Sequence, residues 1–340
     1  LSVTMASDAT VRAVLCKSFG LPNSLVVQEI PAPKAKRGQV VVDIKACGVN
    51  FADMLLVAGK YQANPKFPFI PGSDIAGIVS EIGSGVEGFS IGQPVLAMLP
   101  TGGFAEKVAC STRKVIPLPP GTNLEIAAAS TIVFGTSYYA LKQRAALKKS
   151  EKLLVLGAAG GCGLAAIQLG KVMGAYVIAA ASTKEKLHMA KKAGADEVVN
   201  YSEEKLGKWL KKHHKKGVDV IYDPVGGEFA EPALRCMAFG GRYLVIGFAA
   251  GSIPKIPLNL PLLKTCAIVG VFWGNWATRN VTESLGNMME LSQMLAKGVI
   301  DPYITKAYGL DDAWKALEDI RQRRVIGKVI IVPAKIRPRI

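Results

Sequence analysis

Histidine is almost missing from this 340-residue chain. The three present, His188, His213 and His214, sit among lysines, which is poor material for a metal site that needs three or four N, S or O donors. The six cysteines, Cys16, Cys47, Cys110, Cys162, Cys236 and Cys266, form no CxxC and no other tight pair. A disulfide framework is therefore not expected, and reduced thiols in an intracellular protein are the default reading. No uninterrupted apolar run approaches the roughly 18 residues that cross a bilayer, so no membrane span is expected. There is no G-x-y period, repeat or low-complexity tract, which excludes a collagen-like chain. The opening LSVTMASDAT has neither the basic start nor the apolar core of a secretory signal. It begins with Leu, consistent with a processed or tagged start, and a cytoplasmic address is expected, with a mitochondrial one as the alternative.

Negative charge is also in short supply. Against 42 Lys and Arg there are 26 Asp and Glu, a formal charge of +16, and such an excess calls for an anionic partner or an explanation by compartment. Residues 142–152, 184–216 and 306–340 carry +14 of it, most on predicted helix faces and the tail. Half of the residues are hydrophobic and a fifth are charged. That is a globular composition, and the length suggests about two domains.

Residues 11–121 read as short β runs (VRAVLC, LVVQEI, QVVVDIKACGV, IAGIVSEIG, QPVLAML, AEKVAC) broken by Gly and Pro, a compact β domain. NLEIAAASTIVFGTSYYALKQRAAL then has helical apolar spacing, with Asn123 as its N-cap. From residue 152 strands and helices alternate: KLLVLG, AYVIAAA, DEVVNY, VDVIYD, GRYLVIGF and CAIVGVFW are the strands. Among the helices are TKEKLHMAKKAG, SEEKLGKWLKKHHKKG and EFAEPALRCMAFG. This rhythm predicts a doubly wound parallel sheet. YITKAYGL, DDAWKALEDIRQRR and GKVIIVP predict a closing β-α-β return.

Between the strand KLLVLG and the next helix lie Gly157, Gly160 and Gly163. A dinucleotide diphosphate must approach backbone amides at a helix N-terminus, where side chains would block it and the helix dipole favours an anion. The P-loop reading fails, because no Lys-Ser/Thr pair follows the glycines. An NAD site places Asp or Glu at the end of the second strand. Here that strand ends at Ser182, followed by Thr183, Lys184 and Lys186, with no carboxylate before Glu185. A hydroxyl beside lysines suits a 2′-phosphate, so NADPH is the expected cofactor.

The collinear motifs GVNFADMLLVAGKY, PFIPGSDIAGIVSEIGSGVEGFSIGQPV, GGFAEKV, AASTIVFGTSYYAL, the glycine turn, DPVGG, GRYLVIGF and RRVIGKVII span residues 48–331. The chain resembles the zinc-free quinone oxidoreductases of the medium-chain dehydrogenase/reductase superfamily, and GVFWGNW resembles the quinone oxidoreductase-like subgroup. The resemblance implies an α/β fold: a GroES-like catalytic domain over residues 1–130, completed by 300–340, and a Rossmann NADPH-binding domain over 131–299. The zinc-dependent relatives carry metal ligands where this chain has Asn50, Ser73 and Asp74, and their structural-zinc cysteines would fall near residues 100–103, so no metal is expected. Without a metal to polarise an alcohol, an acceptor that is already electrophilic is implied, a quinone or an α,β-unsaturated carbonyl.

Residue by residue, the resemblance makes Asn50 and Tyr61 catalytic, Asn50 as a group hydrogen-bonding the acceptor or the nicotinamide side and Tyr61 as a proton donor, with a packed loop aromatic as the alternative for Tyr61 and Asp53 orienting the Asn50 loop. Thr136 would lie near the cofactor, and Gly160, Gly161 and Cys162 would present backbone to the diphosphate. Ser182, Lys186 and Tyr201 would clamp the 2′-phosphate. Gly247, Phe248 and Ala249 would line the nicotinamide ribose, Phe272, Trp273 and Gly274 the nicotinamide side, and Lys328 would close the cleft. A homodimer through the CAIVGVFW edge is also implied. Two other readings stand beside quinone reduction. One is reduction of enoyl-CoA or other enones. The other, of a different class, is an AU-rich RNA-binding protein retaining the fold, which the charge invites. The absence of any RNP-like aromatic interleaving disfavours specific nucleic-acid binding.

Overall fold

The computed structural model describes residues 9–334, so the leader reading of the first eight residues and the last basic residues of the tail lie outside it. The chain forms two compact units. One takes the residues up to Thr131 and those from Ile304 onward; the other is Ile132–Tyr303.

The first unit is built on antiparallel strands. β-Branched residues make Gln39–Gly48 its long central strand, paired with Asp74–Ile82, Lys107–Ser111 and Lys328–Ile331. Pro94–Met98, Val115–Pro117 and Ile304–Tyr308 complete the seven-stranded sheet, and Thr10–Leu15 pairs separately with Val26–Pro31. Val40, Val42, Ile44, Val79, Val95 and Phe104 fill its core. Ile304–Tyr308 and Lys328–Ile331 run parallel, joined by the helix Ala313–Arg321, which is the expected β-α-β return. The register of the last strand carries a lysine into the interior. Ile330 faces Gly48 and Ile331 faces Cys47, so the antiparallel run continued by two residues brings Lys328 opposite Asn50.

The second unit holds six parallel strands in the spatial order Glu197–Asn200, Tyr176–Ala181, Lys152–Val155, Val218–Asp223, Met237–Val245 and Ala267–Gly270. Numbered along the chain this is 3-2-1-4-5-6, the doubly wound order. Leu153, Leu154, Ile178 and Val220 are fully buried, as expected of strands covered on both faces.

Two expected elements are corrected. The helix predicted over EFAEPALRCMAFG is confined to Ala230–Leu234, and a nine-residue strand, Met237–Val245, takes over. Strand pairing decides this: Met237 lies beside Val218 and, past a bulge, Arg242 beside Val220. The strand predicted over CAIVGVFW stops at Gly270, and Trp273–Arg279 is helical. The Trp273 ring lies against Gly135, where a Cβ would come within 2.7 Å of ring carbon Cε2.

The helix Leu124–Tyr139 begins as its sequence requires. Asn123 Oδ1 accepts from the Glu125 and Ile126 amides at 3.0 and 3.1 Å, and a π-helical turn, Ala140–Arg144, follows the helix. Asn123→Ala should therefore cost about 1 kcal/mol, measurable as a lower urea midpoint with an unchanged slope.

Candidate active site

The glycine turn divides its work among three residues. Gly157 has φ +57°, and a Cβ there would lie 2.7 Å from Val225 Cγ2. Gly160, the N-cap of the helix Gly161–Val172, has open space around it; the nearest atom to a built Cβ is Gly157 O at 3.6 Å. At Gly163 a Cβ would overlap the Gly157 carbonyl oxygen and come within 2.8 Å of the Ala158 backbone. So Gly157 makes the turn, Gly160 keeps the approach clear, and Gly163 seats the helix on the strand end. The helix N-terminus at Gly161–Gly163 presents its first-turn amides outward by helix geometry, the arrangement that holds a phosphate.

The neighbouring strand ends converge on the same side of the sheet. After Tyr176–Ala181, Thr183 caps the helix Lys184–Lys192 by accepting from the Lys186 amide, and Lys186 Nζ reaches Ser182 Oγ at 3.5 Å. The Tyr201 amide donates to Ala181 O at 3.1 Å, and the Tyr201 ring lies 4.4 Å from that of Phe229. Ser182, Lys186 and Tyr201 thus lie at the ends of two neighbouring strands, with Glu185 exposed on the first turn of the helix and Glu203 and Glu204 following Tyr201 in its turn. Residues 247–250 are tied to 223–225: the Gly247 amide points to Asp223 O, Ala249 to Pro224 O and Ala250 to Val225 O. Phe272 is more than half exposed, whereas Trp273 is buried against Gly135.

Three residues that sequence reasoning passed over hold this frame. Asp223 is buried, accepts from the Val225 and Gly226 amides at 2.7 and 2.8 Å, and is hydrogen-bonded by the Tyr243 hydroxyl. Burial raises its pKa above the ordinary carboxylate range, with the hydrogen bonds pulling the other way. Ser137, next to the half-buried Thr136, donates to Cys162 O at 3.2 Å and pairs with Tyr222 Oη at 2.8 Å. The signal for Asp223 was present in DPVGG, since an Asp before such a turn can accept from its amides. Ser137 and Tyr222 lie in apolar runs and gave none.

In the first unit Asn50 caps the short helix Phe51–Val57, and Asp53 Oδ2 accepts from the Asn50 amide at 2.8 Å, so Asp53 orients this turn. Ser73 Oγ lies 3.4 Å from Asp53 Oδ1. The Lys328 ammonium donates to Asn50 Oδ1 at 2.7 Å and to Val49 O at 2.9 Å. Asn50, Asp53, Asp74 and Lys328 are all buried. The resemblance has Lys328 closing the cleft; only 3% of it is exposed, and these two bonds run to its own unit. Burial raises the Tyr61 phenol, helped by the Asp53 charge.

The residues at the zinc-ligand positions do not fit zinc. They are an amide, a hydroxyl and one carboxylate, and a lysine ammonium occupies the Asn50 oxygen. Among the described residues no group of three His, Cys, Asp or Glu side chains is arranged to hold a metal ion.

Two family models match the chain, the alcohol dehydrogenase GroES-like domain over residues 36–120 and zinc-binding dehydrogenase over 161–292. A quinone oxidoreductase-like protein 2 homolog of Nematostella vectensis is 38% identical over 328 residues, covering 94% of this chain and 88% of its own. Prostaglandin reductase-3 of Bos taurus is 32% identical over 89% of this chain and 84% of its own. The crystal structure of Escherichia coli quinone oxidoreductase complexed with NADPH superposes with a TM-score of 0.89 at 31% identity, over 95% of this chain and all of that one. The chain belongs to the quinone oxidoreductase family of the medium-chain dehydrogenase/reductase superfamily and is an oxidoreductase.

Burial holds the Asp53 carboxyl up to about 6, against the pull of the Asn50 amide and the Lys328 charge. A raised value means that the folded chain keeps a proton the unfolded chain has lost, so stability falls as pH rises from about 4 to 6. Asp53→Asn keeps an acceptor for the Asn50 amide without the charge. Relative to the parent it should gain up to ~3 kcal/mol between pH 4 and 7, read from urea unfolding at each pH.

Proposed function

We propose that this oxidoreductase uses NADPH to reduce quinones without a metal. The observation that carries the cofactor choice is the strand end at Ser182, where a hydroxyl and the Lys186 ammonium stand 3.5 Å apart at the position an NAD site gives to a carboxylate. A cation and a hydroxyl complement a phosphate, and a carboxylate would repel it. The NADPH named for the E. coli relative supports the same choice. Gly161 and Cys162 then hold the diphosphate through backbone N–H groups, Gly160, whose own amide is turned to Gly157 O, leaves the approach clear, and Gly163 fixes the helix that carries them.

NADPH, when bound, supplies a hydride, two electrons and one proton. A quinone needs one proton more to become the hydroquinone. Tyr61 carries that role in this reading: its phenol O–H donates to the reduced oxygen and is replenished from water. Asn50 supplies a hydrogen bond to the acceptor's oxygen. Reduction of an enone would use the same parts, and the prostaglandin reductase among the relatives favours it as the second reading.

We also propose a homodimer through the strand Ala267–Gly270. It forms an edge of its sheet, Ile268 on it is exposed, and Leu258, Leu262 and Leu263 nearby are about three-quarters or more exposed. An apolar open edge of this kind is an aggregation hazard unless covered.

Purified protein should oxidise NADPH with naphthoquinone or phenanthrenequinone; turnover with crotonyl-CoA alone would reassign it to the enone reading. Lys186→Ala should raise KM for NADPH about tenfold or more, the loss of a charged hydrogen bond, and leave that for NADH unchanged; equal effects would remove the clamp. Light scattering should give twice the chain mass, and a monomer would refute the edge pairing.

A further inference from the structure

The Asn50 carboxamide has one acceptor oxygen and an NH₂ with two donors, and it can be built either way round. What lies opposite decides the matter. The pairing of Lys328–Ile331 with Gln39–Gly48 delivers Lys328 to Asn50, and an ammonium has donors only. The atom facing it at 2.7 Å must therefore be the oxygen. A second ammonium proton goes to Val49 O at 2.9 Å, which holds the lysine head on the same stretch of backbone.

We propose that Lys328 is a positioning residue for the reduction: by occupying Asn50 Oδ1 it turns the amide N–H edge toward the substrate and keeps it there. One Nδ2 proton has a long contact to Gly48 O, 3.3 Å, and the other is the group for the acceptor's carbonyl oxygen. This rests on the reading of the chain as a carbonyl-directed reductase. With the amide reversed, Asn50 would present an oxygen to that oxygen and repel it.

The ammonium does more than fix the orientation. Negative charge grows on the substrate oxygen as the hydride arrives, and donors aimed at that charge lower the barrier. A cation hydrogen-bonded to Oδ1 polarises the amide, making its N–H a stronger donor. A buried cation needs counter-charges, and Asp53 and Asp74 are buried in the same part of the unit. Asp53 also holds the Asn50 backbone, so the two ends of Asn50 are fixed by residues of opposite sign.

The role differs from direct contact with the cofactor, and the two predict different kinetics. Lys328→Met, Lys328→Gln, Asn50→Ala and the Asn50→Ala/Lys328→Met pair would be compared with the parent. Lys328→Met should lower kcat by about 10- to 100-fold, less than the roughly 100- to 1,000-fold for removing a transition-state donor itself, with the NADPH dissociation constant within about twofold. The double variant should lose nothing beyond Asn50→Ala alone. Lys328→Gln, whose amide can donate to Oδ1, should recover part of kcat and serves also if the Met variant does not fold. Additive losses, or weakened NADPH binding with kcat preserved, would overturn the proposal.

A second measurement is independent of turnover. In nitrogen-15 spectra of the protein without cofactor, the Asn50 side-chain NH₂ pair, identified by its loss in Asn50→Ala, should shift in Lys328→Met and shift less in Lys328→Gln. An unmoved pair refutes the lock. If the parent reduces neither quinone nor enone, the functional reading fails, and the spectra still decide whether Lys328 holds the amide.

Discussion

A lysine ammonium buried beside a strand end is the constraint around which the first unit is arranged. Such a charge is tolerated only where its protons find oxygens and its field finds carboxylates. Val49 O and Asn50 Oδ1 meet the first need, and Asp53 and Asp74 lie buried in the same core. The strand register brings these groups from opposite ends of the chain, residues 48–53 and 328, into one cluster. Small residues make the fit possible. A Cβ at Gly48 would overlap the Ala128 carbonyl, and one at Gly103 would reach Cys47 Sγ at 2.6 Å. Burial pushes the Cys47 thiol well up, so it stays a neutral packing atom amid this charge.

The second unit solves a different problem, how to leave space at the carboxyl ends of strands without losing rigidity. Its answer is hydrogen bonding behind the opening. Asp223 gathers two loop amides and a phenol, and Ser137 and Tyr222 secure the carbonyl of Cys162 from beneath. These buried polar groups are satisfied by one another, which confines the loops to one arrangement.

Much of this was legible from residue patterns. Strands covered on both faces announce themselves as apolar runs, and a side-chain cap such as Asn123 is a local event. The glycines of the turn were legible because their constraint is steric and lies within seven residues. What escaped was set by distant pairing. Nothing near Met237 says that it lies beside Val218, so helical spacing misled at EFAEPALRCMAFG. The bond from Lys328 to Asn50 escaped for the same reason, since the two lie 278 positions apart. The charge of +16 was legible in its placement as well, since the basic helix Leu206–His213 keeps its lysines on a solvated face as its pattern predicts; the burial of Lys328 was not.

The glycine turn and the strand end at Ser182 carry their constraints in different kinds of atom. At Gly163 the obstacle is backbone against backbone, so no side chain of any type can be accommodated without moving the helix. At residues 182–186 the chemistry lies in side chains, half-buried or exposed, that can be exchanged while the fold stays put. Side chains at 182–186 can therefore be exchanged with little effect on the helix that follows Gly163. The anchor beneath them remains frozen.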